Sequence, residues 1–250
     1  MTKQPERVGL PSLDFSVASR QKNLIRWEAI AKGDEEGFLY ARNTPCDAVV
    51  TFEQQVAQLE GAECGVAFTS GMAAISAVAM ALLQPGKRVV VGNATYGGAT
   101  QLFGHILPTW GIDVTMVPTV DEDAFRAAIA GGCDFLYLES PSNPLLALQD
   151  IRKLSGWAHE VGAVVVIDNT VATPINQRPL ELGADVVIHS ATKFLGGHAD
   201  ALGGVVATSA PYAERLRTHR DIYGACLDPM NAYLIVRGMR TLELRMERHN

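Results

Sequence analysis

Residues 185–198 read Asp185-Val186-Val187-Ile188-His189-Ser190-Ala191-Thr192-Lys193-Phe194-Leu195-Gly196-Gly197-His198. The apolar run Val186-Val187-Ile188 has the length and character of a strand buried on both faces. The same kind of run recurs upstream, at Val164-Val165-Val166-Ile167, Phe135-Leu136-Tyr137-Leu138 and Arg88-Val89-Val90-Val91, with a further strand expected at Asp113–Val117. Helical segments are predicted between them. Val49, Phe52, Val56 and Leu59 recur at helical spacing from about Ala48 to Glu60, and Gly61 closes that helix. Ser70 can cap a helix of small residues that ends at Pro85-Gly86. Others are expected near Ala99–Trp110, from Asp121 onward, and over Ile151–Val161. Strands alternating with helices at this scale imply an α/β fold: a mostly parallel sheet with helices on both faces.

Residues 1–50 show no sustained period and read as an irregular arm, suited to lie on a partner subunit, ahead of a domain over 51–250. At the other end Met230, Tyr233, Leu234, Val236, Met239 and Leu242 predict one long helix running almost to Asn250. A chain that stops there suggests a missing continuation.

The chain has 250 residues, 48% hydrophobic and 19% charged, the balance of a soluble protein with a sizeable core. Its net charge of -6 and lack of a basic run give no support to nucleic-acid binding. Cys46, Cys64, Cys133 and Cys226 lack the spacing of a zinc site or redox motif, and read as reduced thiols of a cytoplasmic protein. No metal site is expected. Met1–Arg7 has no apolar signal core. The apolar stretch Val66–Leu83 is interrupted by Thr69, Ser70, Gly71 and Ser76, so it reads as strand, turn and buried helix rather than a membrane span.

In open parallel sheets, ligands collect outside the carboxyl ends of the strands. Lys193 stands at such an exit, between the hydroxyls of Ser190 and Thr192 and a pair of glycines. These parts suit an amine held as a Schiff base to pyridoxal phosphate, with the hydroxyls on the phosphate. The competing reading is an ordinary surface lysine. Asp168 ends the Val164–Ile167 run and would keep a pyridine nitrogen protonated, or else cap a turn. Glu139-Ser140-Pro141-Ser142-Asn143-Pro144 offers Asn143 to a ring hydroxyl, or is simply a proline turn. The helix start at Ser70-Gly71-Met72 presents free N–H groups to a phosphate, or is a plain serine cap. Tyr96, beside Gly97 and Gly98, can stack on a flat ring or be an ordinary tyrosine. Together these supply a phosphate cradle, a ring stack, a pyridinium partner and an anchoring amine. The early glycine fingerprint of a dinucleotide fold is absent.

The stretch Asp168-Asn169-Thr170, Pro174, Arg178-Pro179-Leu180-Glu181-Leu182-Gly183-Ala184-Asp185 and His189-Ser190-Ala191-Thr192-Lys193 resembles the Cys/Met-metabolism family of pyridoxal-phosphate enzymes. Glu139–Pro144 and Arg237-Gly238-Met239-Arg240-Thr241-Leu242 add to the likeness, which runs from about Gly37 to the end. The family comprises cystathionine gamma-synthase, the cystathionine lyases, methionine gamma-lyase and the homoserine-ester sulfhydrylases. The resemblance implies the aspartate-aminotransferase type of fold (fold type I) and a homotetramer of two active dimers. It implies Lys193 as Schiff-base lysine and proton shuttle, Asp168 as partner of the ring nitrogen, and Tyr96 stacked on the ring. Ser190, Thr192 and the backbone of Gly71 and Met72 would bind the phosphate, while Tyr40 and Arg42 match a Tyr-x-Arg that reaches the neighbouring subunit's phosphate. Two departures stand out. The family's Asn-Pro-Thr after Tyr-x-Arg is here Asn43-Thr44-Pro45-Cys46-Asp47, and the smaller C-terminal domain, which carries the substrate-carboxylate arginine in relatives, is absent. Tyr96-Gly97-Gly98 is more like the synthases, sulfhydrylases and cystathionine gamma-lyase, since methionine gamma-lyases commonly have cysteine at the position of Gly98. The expected reaction is therefore gamma-replacement on O-succinyl- or O-acetylhomoserine by cysteine or sulfide. A lyase acting on cystathionine or methionine is the alternative, and a non-catalytic relative a third.

Overall fold

The apolar runs become the centre of one sheet. The computed structural model describes residues 9–35, 37–43 and 45–250. The Met1–Arg7 segment and Thr44 of the Thr44-Pro45 turn lie outside them. In chain order the first elements are α1 (Leu24–Lys32), α2 (Asp47–Glu60), β1 (Cys64–Phe68), α3 (Gly71–Leu82) and β2 (Arg88–Gly92). Then come α4 (Gly97–Gln101), β3 (Asp113–Val117), α5 (Glu122–Ala130), β4 (Phe135–Glu139), α6 (Ile151–Glu160) and β5 (Val164–Asp168). The chain continues through α7 (Thr173–Asn176), β6 (Val186–Ser190), β7 (Gly204–Thr208), α8 (Ala210–Tyr223), α9 (Pro229–Met239) and α10 (Leu242–His249).

The sheet runs β1-β7-β6-β5-β4-β2-β3. All neighbours pair in parallel except β7, which is antiparallel to both β1 and β6. Each face carries its own core. Leu136, Leu138, Val165, Ile167 and Val187 face α2, α5, α6 and α9, while Tyr137, Val166, Val186 and Ile188 face α3, α4 and α8. That division follows from the alternation of side chains along a strand. Small residues on α3 let it lie close to the sheet. At Gly204 of β7 an added Cβ would sit 2.1 Å from the Ser70 carbonyl oxygen.

Four expectations need correction. Residues 1–50 are not wholly irregular, because α1 forms there, capped by Asn23 Oδ1 on the Arg26 N–H (2.9 Å) and by Gly33 at φ +79°. Only Ile30 of α1 is buried, so no apolar stripe marked it. The start of α2 at Asp47 also puts the 50/51 boundary inside a helix. The predicted helix over Ala99–Trp110 is α4 followed by a π-helical turn, Leu102–Ile106, and a 3₁₀ turn, Leu107–Trp110. Pro108 lacks the N–H that a continuous α-helix would use. The C-terminal helix breaks at Arg240-Thr241 into α9 and α10. There the Thr241 hydroxyl donates to the Gly238 carbonyl (3.2 Å) and competes with the helical ladder. No described helix is long and apolar enough to cross a membrane.

Candidate active site

The carboxyl ends of β1, β2, β4, β5 and β6 share one edge of the sheet, and a cavity of about 660 Å³ opens there. Of the ten residues expected at the site, Gly71, Met72, Tyr96, Asn143, Asp168, Ser190, Thr192 and Lys193 line this cavity. Tyr40 and Arg42 do not. The Arg42 guanidinium lies over the Tyr40 ring at 5.7 Å and donates to the Asp221 carbonyl of α8.

Lys193 sits on a tight turn after β6. Its N–H donates to the Ser190 carbonyl (3.1 Å) and its carbonyl accepts from Gly197 (2.7 Å). The side chain is exposed to the cavity and forms no ion pair or hydrogen bond with the described residues. Arg245 of α10, which also lines the cavity, pins the turn by donating to the Phe194 carbonyl (2.6 Å) and the Gly238 carbonyl (2.9 Å).

The hydroxyl side of the cavity is built by close approach. Ser70 Oγ accepts from the Ala73 N–H (3.1 Å), leaving the Gly71 and Met72 N–H groups at the start of α3 without helical acceptors. A Cβ on Gly71 would lie 2.7 Å from Ser190 Cβ, so glycine is what lets the helix start meet the exit of β6. Thr192 bridges to Gly203, accepting from its N–H at 3.2 Å. The Ser190 N–H donates to Thr170 Oγ1 (2.8 Å), which joins the exits of β5 and β6.

Two carboxylates lie side by side at the other wall. Glu139 and Asp168 are register partners on β4 and β5, and both are buried. Asp168 Oδ1 accepts from the Thr170 N–H (3.0 Å), and Oδ2 lies 3.4 Å from the Tyr137 hydroxyl. Burial pushes Asp168 above the usual carboxylate range. The Thr170 hydrogen bonds, the nearby His189 charge and the Tyr137 hydroxyl hold the rise in check. Burial, reinforced by the Asp168 charge, pushes Glu139 up to about 7. Glu139 Oε2 accepts from the Tyr96 N–H (2.7 Å) and Oε1 from the Asn143 N–H (2.8 Å), so one side chain ties down both loops. Burial and the two adjacent acids raise the Tyr137 hydroxyl well above 10.0.

Glu139, Tyr137, Thr170 and Arg245 were given no site role from the sequence, although Glu139 and Thr170 fall within the motifs quoted there. Glu139 was detectable, because it ends a buried strand as Asp168 does. Tyr137 and Thr170 depend on the pairing of β4, β5 and β6, and Arg245 on the docking of α10 against the turn after β6.

A family model described as Cys/Met metabolism PLP-dependent enzyme matches residues 14–250. The L-methionine gamma-lyase of Pseudomonas deceptionensis is 45% identical over 221 residues, covering 87% of this chain and 55% of that protein. The cystathionine gamma-synthase/O-acetylhomoserine (thiol)-lyase of Bacillus subtilis is 42% identical, covering 87% of this chain and 58% of that protein. Among solved structures, the cystathionine gamma-lyase from Lactobacillus plantarum complexed with L-serine superposes with a TM-score of 0.87 at 36% identity. That match covers 96% of this chain and 60% of the other. The chain thus spans little more than half the length of these relatives, which are divided between synthase and lyase activities.

Proposed function

Because the chain belongs to the Cys/Met metabolism PLP-dependent enzyme family, we propose that it works at the γ-carbon of an amino acid, replacing the acyloxy group of an O-acyl-homoserine with a thiol. Pyridoxal phosphate is the family's cofactor, and the cavity fits it on two grounds. Asp168 is a buried carboxylate with no cation paired to it among the described residues, which suits a protonated ring nitrogen. The cleft between the α3 N-terminus and Ser190 exists only because Gly71 has no side chain, and its free N–H groups suit a phosphate.

When bound, the cofactor supplies a ring that stores the electron pair left when the α-carbon loses its proton. In this reading Asp168 holds the proton of the ring nitrogen, while the Thr170 N–H keeps its carboxylate aimed. Gly71, Met72, Ser190 and Thr192 bind the phosphate, Asn143 the ring hydroxyl, and the Tyr96 ring covers one face. The Lys193 amine anchors the cofactor, then moves protons at the substrate's α and β carbons. Its freedom from ion pairs among the described residues supports that role. In the net exchange the Cγ–O bond breaks and the acyl group leaves as its carboxylate, the Cγ–S bond forms with the thiol, whose proton passes to solvent, and Lys193 would return the protons taken from the α and β carbons.

The packing around Gly98 carries the preference for replacement. A Cβ there would lie 2.6 Å from Met72 Sδ and 2.8 Å from Tyr96 Cε1, so a cysteine would displace two side chains that line the cavity. Elimination is the second reading, favoured by the 45% identity to a methionine gamma-lyase. Incubating the protein with pyridoxal phosphate, O-acetyl- or O-succinylhomoserine, and cysteine or sulfide should yield the thioether or thiol amino acid. Keto acid release from methionine or cystathionine without any replacement product would overturn the choice.

The same reading takes the chain from α2 onward as the large cofactor domain and the residues before α2 as an arm of a homo-oligomer, with Tyr40 and Arg42 serving a neighbour's phosphate. Leu24, Ile25 and Trp27 lie exposed on α1, which supports an apolar contact there. Size in solution, with and without residues 1–46, tests it.

A further inference from the structure

Glu60 is the last residue of α2 and is fully buried. A carboxylate at a helix C-terminus opposes the helix dipole, and a buried one is costly unless it is paired. Packing alone therefore argues against it. Its Oε1 lies 2.6 Å from His189 Nε2 and accepts from Asn169 Nδ2 at 2.8 Å. Asn169 in turn exchanges hydrogen bonds with Gln177: Nδ2 to the Gln177 carbonyl (2.9 Å) and Gln177 Nε2 to Oδ1 (2.9 Å). Gln177 Nε2 also donates to the Ser140 carbonyl (2.7 Å).

Each strand exit in this chain of bonds is next to a cavity residue. Ser140 follows Glu139, Asn169 follows Asp168, and His189 precedes Ser190. Alternation along a strand puts His189 on the opposite face of the sheet from Ser190, so the network lies behind the cavity. We infer that Glu60 is a positioning residue for the cofactor: through His189, Asn169 and Gln177 it fixes from the far face the strand exits that carry Glu139, Asp168, Ser190 and Lys193.

Two observations separate this from ordinary core packing. Among the described residues Glu60 Oε2 and His189 Nδ1 are buried without a hydrogen-bond partner, which packing alone does not explain. Between Asn169 and Gln177 the buried Thr173 is held at φ +64°, a conformation that β-branched residues enter only at a cost. Such strain persists where the surroundings over-determine the backbone, as at ligand sites.

The inference rests on the cofactor assignment and stands whichever reaction the protein runs. It is tested by titrating pyridoxal phosphate into the apo-protein and reading affinity together with the induced circular dichroism of the bound cofactor's visible band. Glu60→Gln keeps the shape and one acceptor. It should leave the melting temperature of the apo-protein within a few degrees, weaken binding by about tenfold, as outer partners do at a preorganised site, and alter the induced band. His189→Gln should do the same, and the double variant should be no worse than either single one. Unchanged affinity and an unchanged induced band in both single variants would overturn the inference, whatever happens to melting. If the buried variants do not fold, Gln177→Met at the half-buried rim decides it by the same two readouts. Failure of the unmodified protein to take up pyridoxal phosphate would instead remove the cofactor assignment itself.

Discussion

Neutralising Glu139 by Glu139→Gln should remove a specific part of the protein's pH dependence. The carboxyl is 4% exposed and titrates at about 7 in the folded protein, against an ordinary 4.5. Burial is the main cause and the Asp168 charge the second, while the Tyr96 and Asn143 N–H groups oppose both. A carboxyl raised on folding stabilises the native state in its protonated form. Its contribution is therefore fully present below pH 4.5 and is lost as pH rises to about 7. At 1.36 kcal/mol per pH unit the loss comes to about 3 kcal/mol. Urea unfolding of the apo-protein at a series of pH values between 5 and 8 reads it directly. With a slope near 3 kcal/mol/M, the wild-type midpoint should fall by about 1 M more than that of Glu139→Gln across this range. Glu53 is also raised and gives both proteins a shared slope, while Asp168 couples to Glu139 directly, so the difference between the two proteins reads Glu139 together with that coupling. Parallel midpoint curves for the two proteins would refute the reasoning. Glu139 would then be ionised on folding at no cost, held by its two backbone N–H groups.

Lys193→Ala should abolish the visible absorbance of the loaded protein and lower turnover by at least about 10³-fold, measured against protein that still melts normally. Gly71→Ala drives a methyl to within 2.7 Å of Ser190 Cβ. It should weaken pyridoxal phosphate by about tenfold while leaving unphosphorylated pyridoxal nearly unaffected, both read by titration. Arg220 donates to Glu53 Oε1 (2.8 Å) in a buried pair that also takes the Ala67 N–H. Arg220→Met strands that carboxylate and should cost about 3–5 kcal/mol at neutral pH, and less in acid, where Glu53 can take a proton; denaturant unfolding at the two pH values checks it.

The reach of the sequence and its limit lie on opposite faces of the same strands. Runs such as Val164–Ile167 and Val186–Ile188 announce a parallel sheet because strands buried on both faces must be apolar throughout. A polar residue that ends such a run then has nowhere to go but the strand exit, which is why Asp168, Ser190 and Lys193 were legible and meet at one cavity. The same logic would have found Glu139. It fails where a segment has too little of a face to bury: α1 buries Ile30 alone. It fails more completely for Glu60. Nothing near Glu60 in the chain marks it, since a glutamate closing an amphipathic helix is ordinary by composition. Its meaning comes from His189, 129 positions away, and Asn169, 109 away. The residues that touch a ligand leave a local signature because they break a hydrophobic pattern. Those that hold them in place break no pattern of their own, and only the pairing of distant strands brings them together.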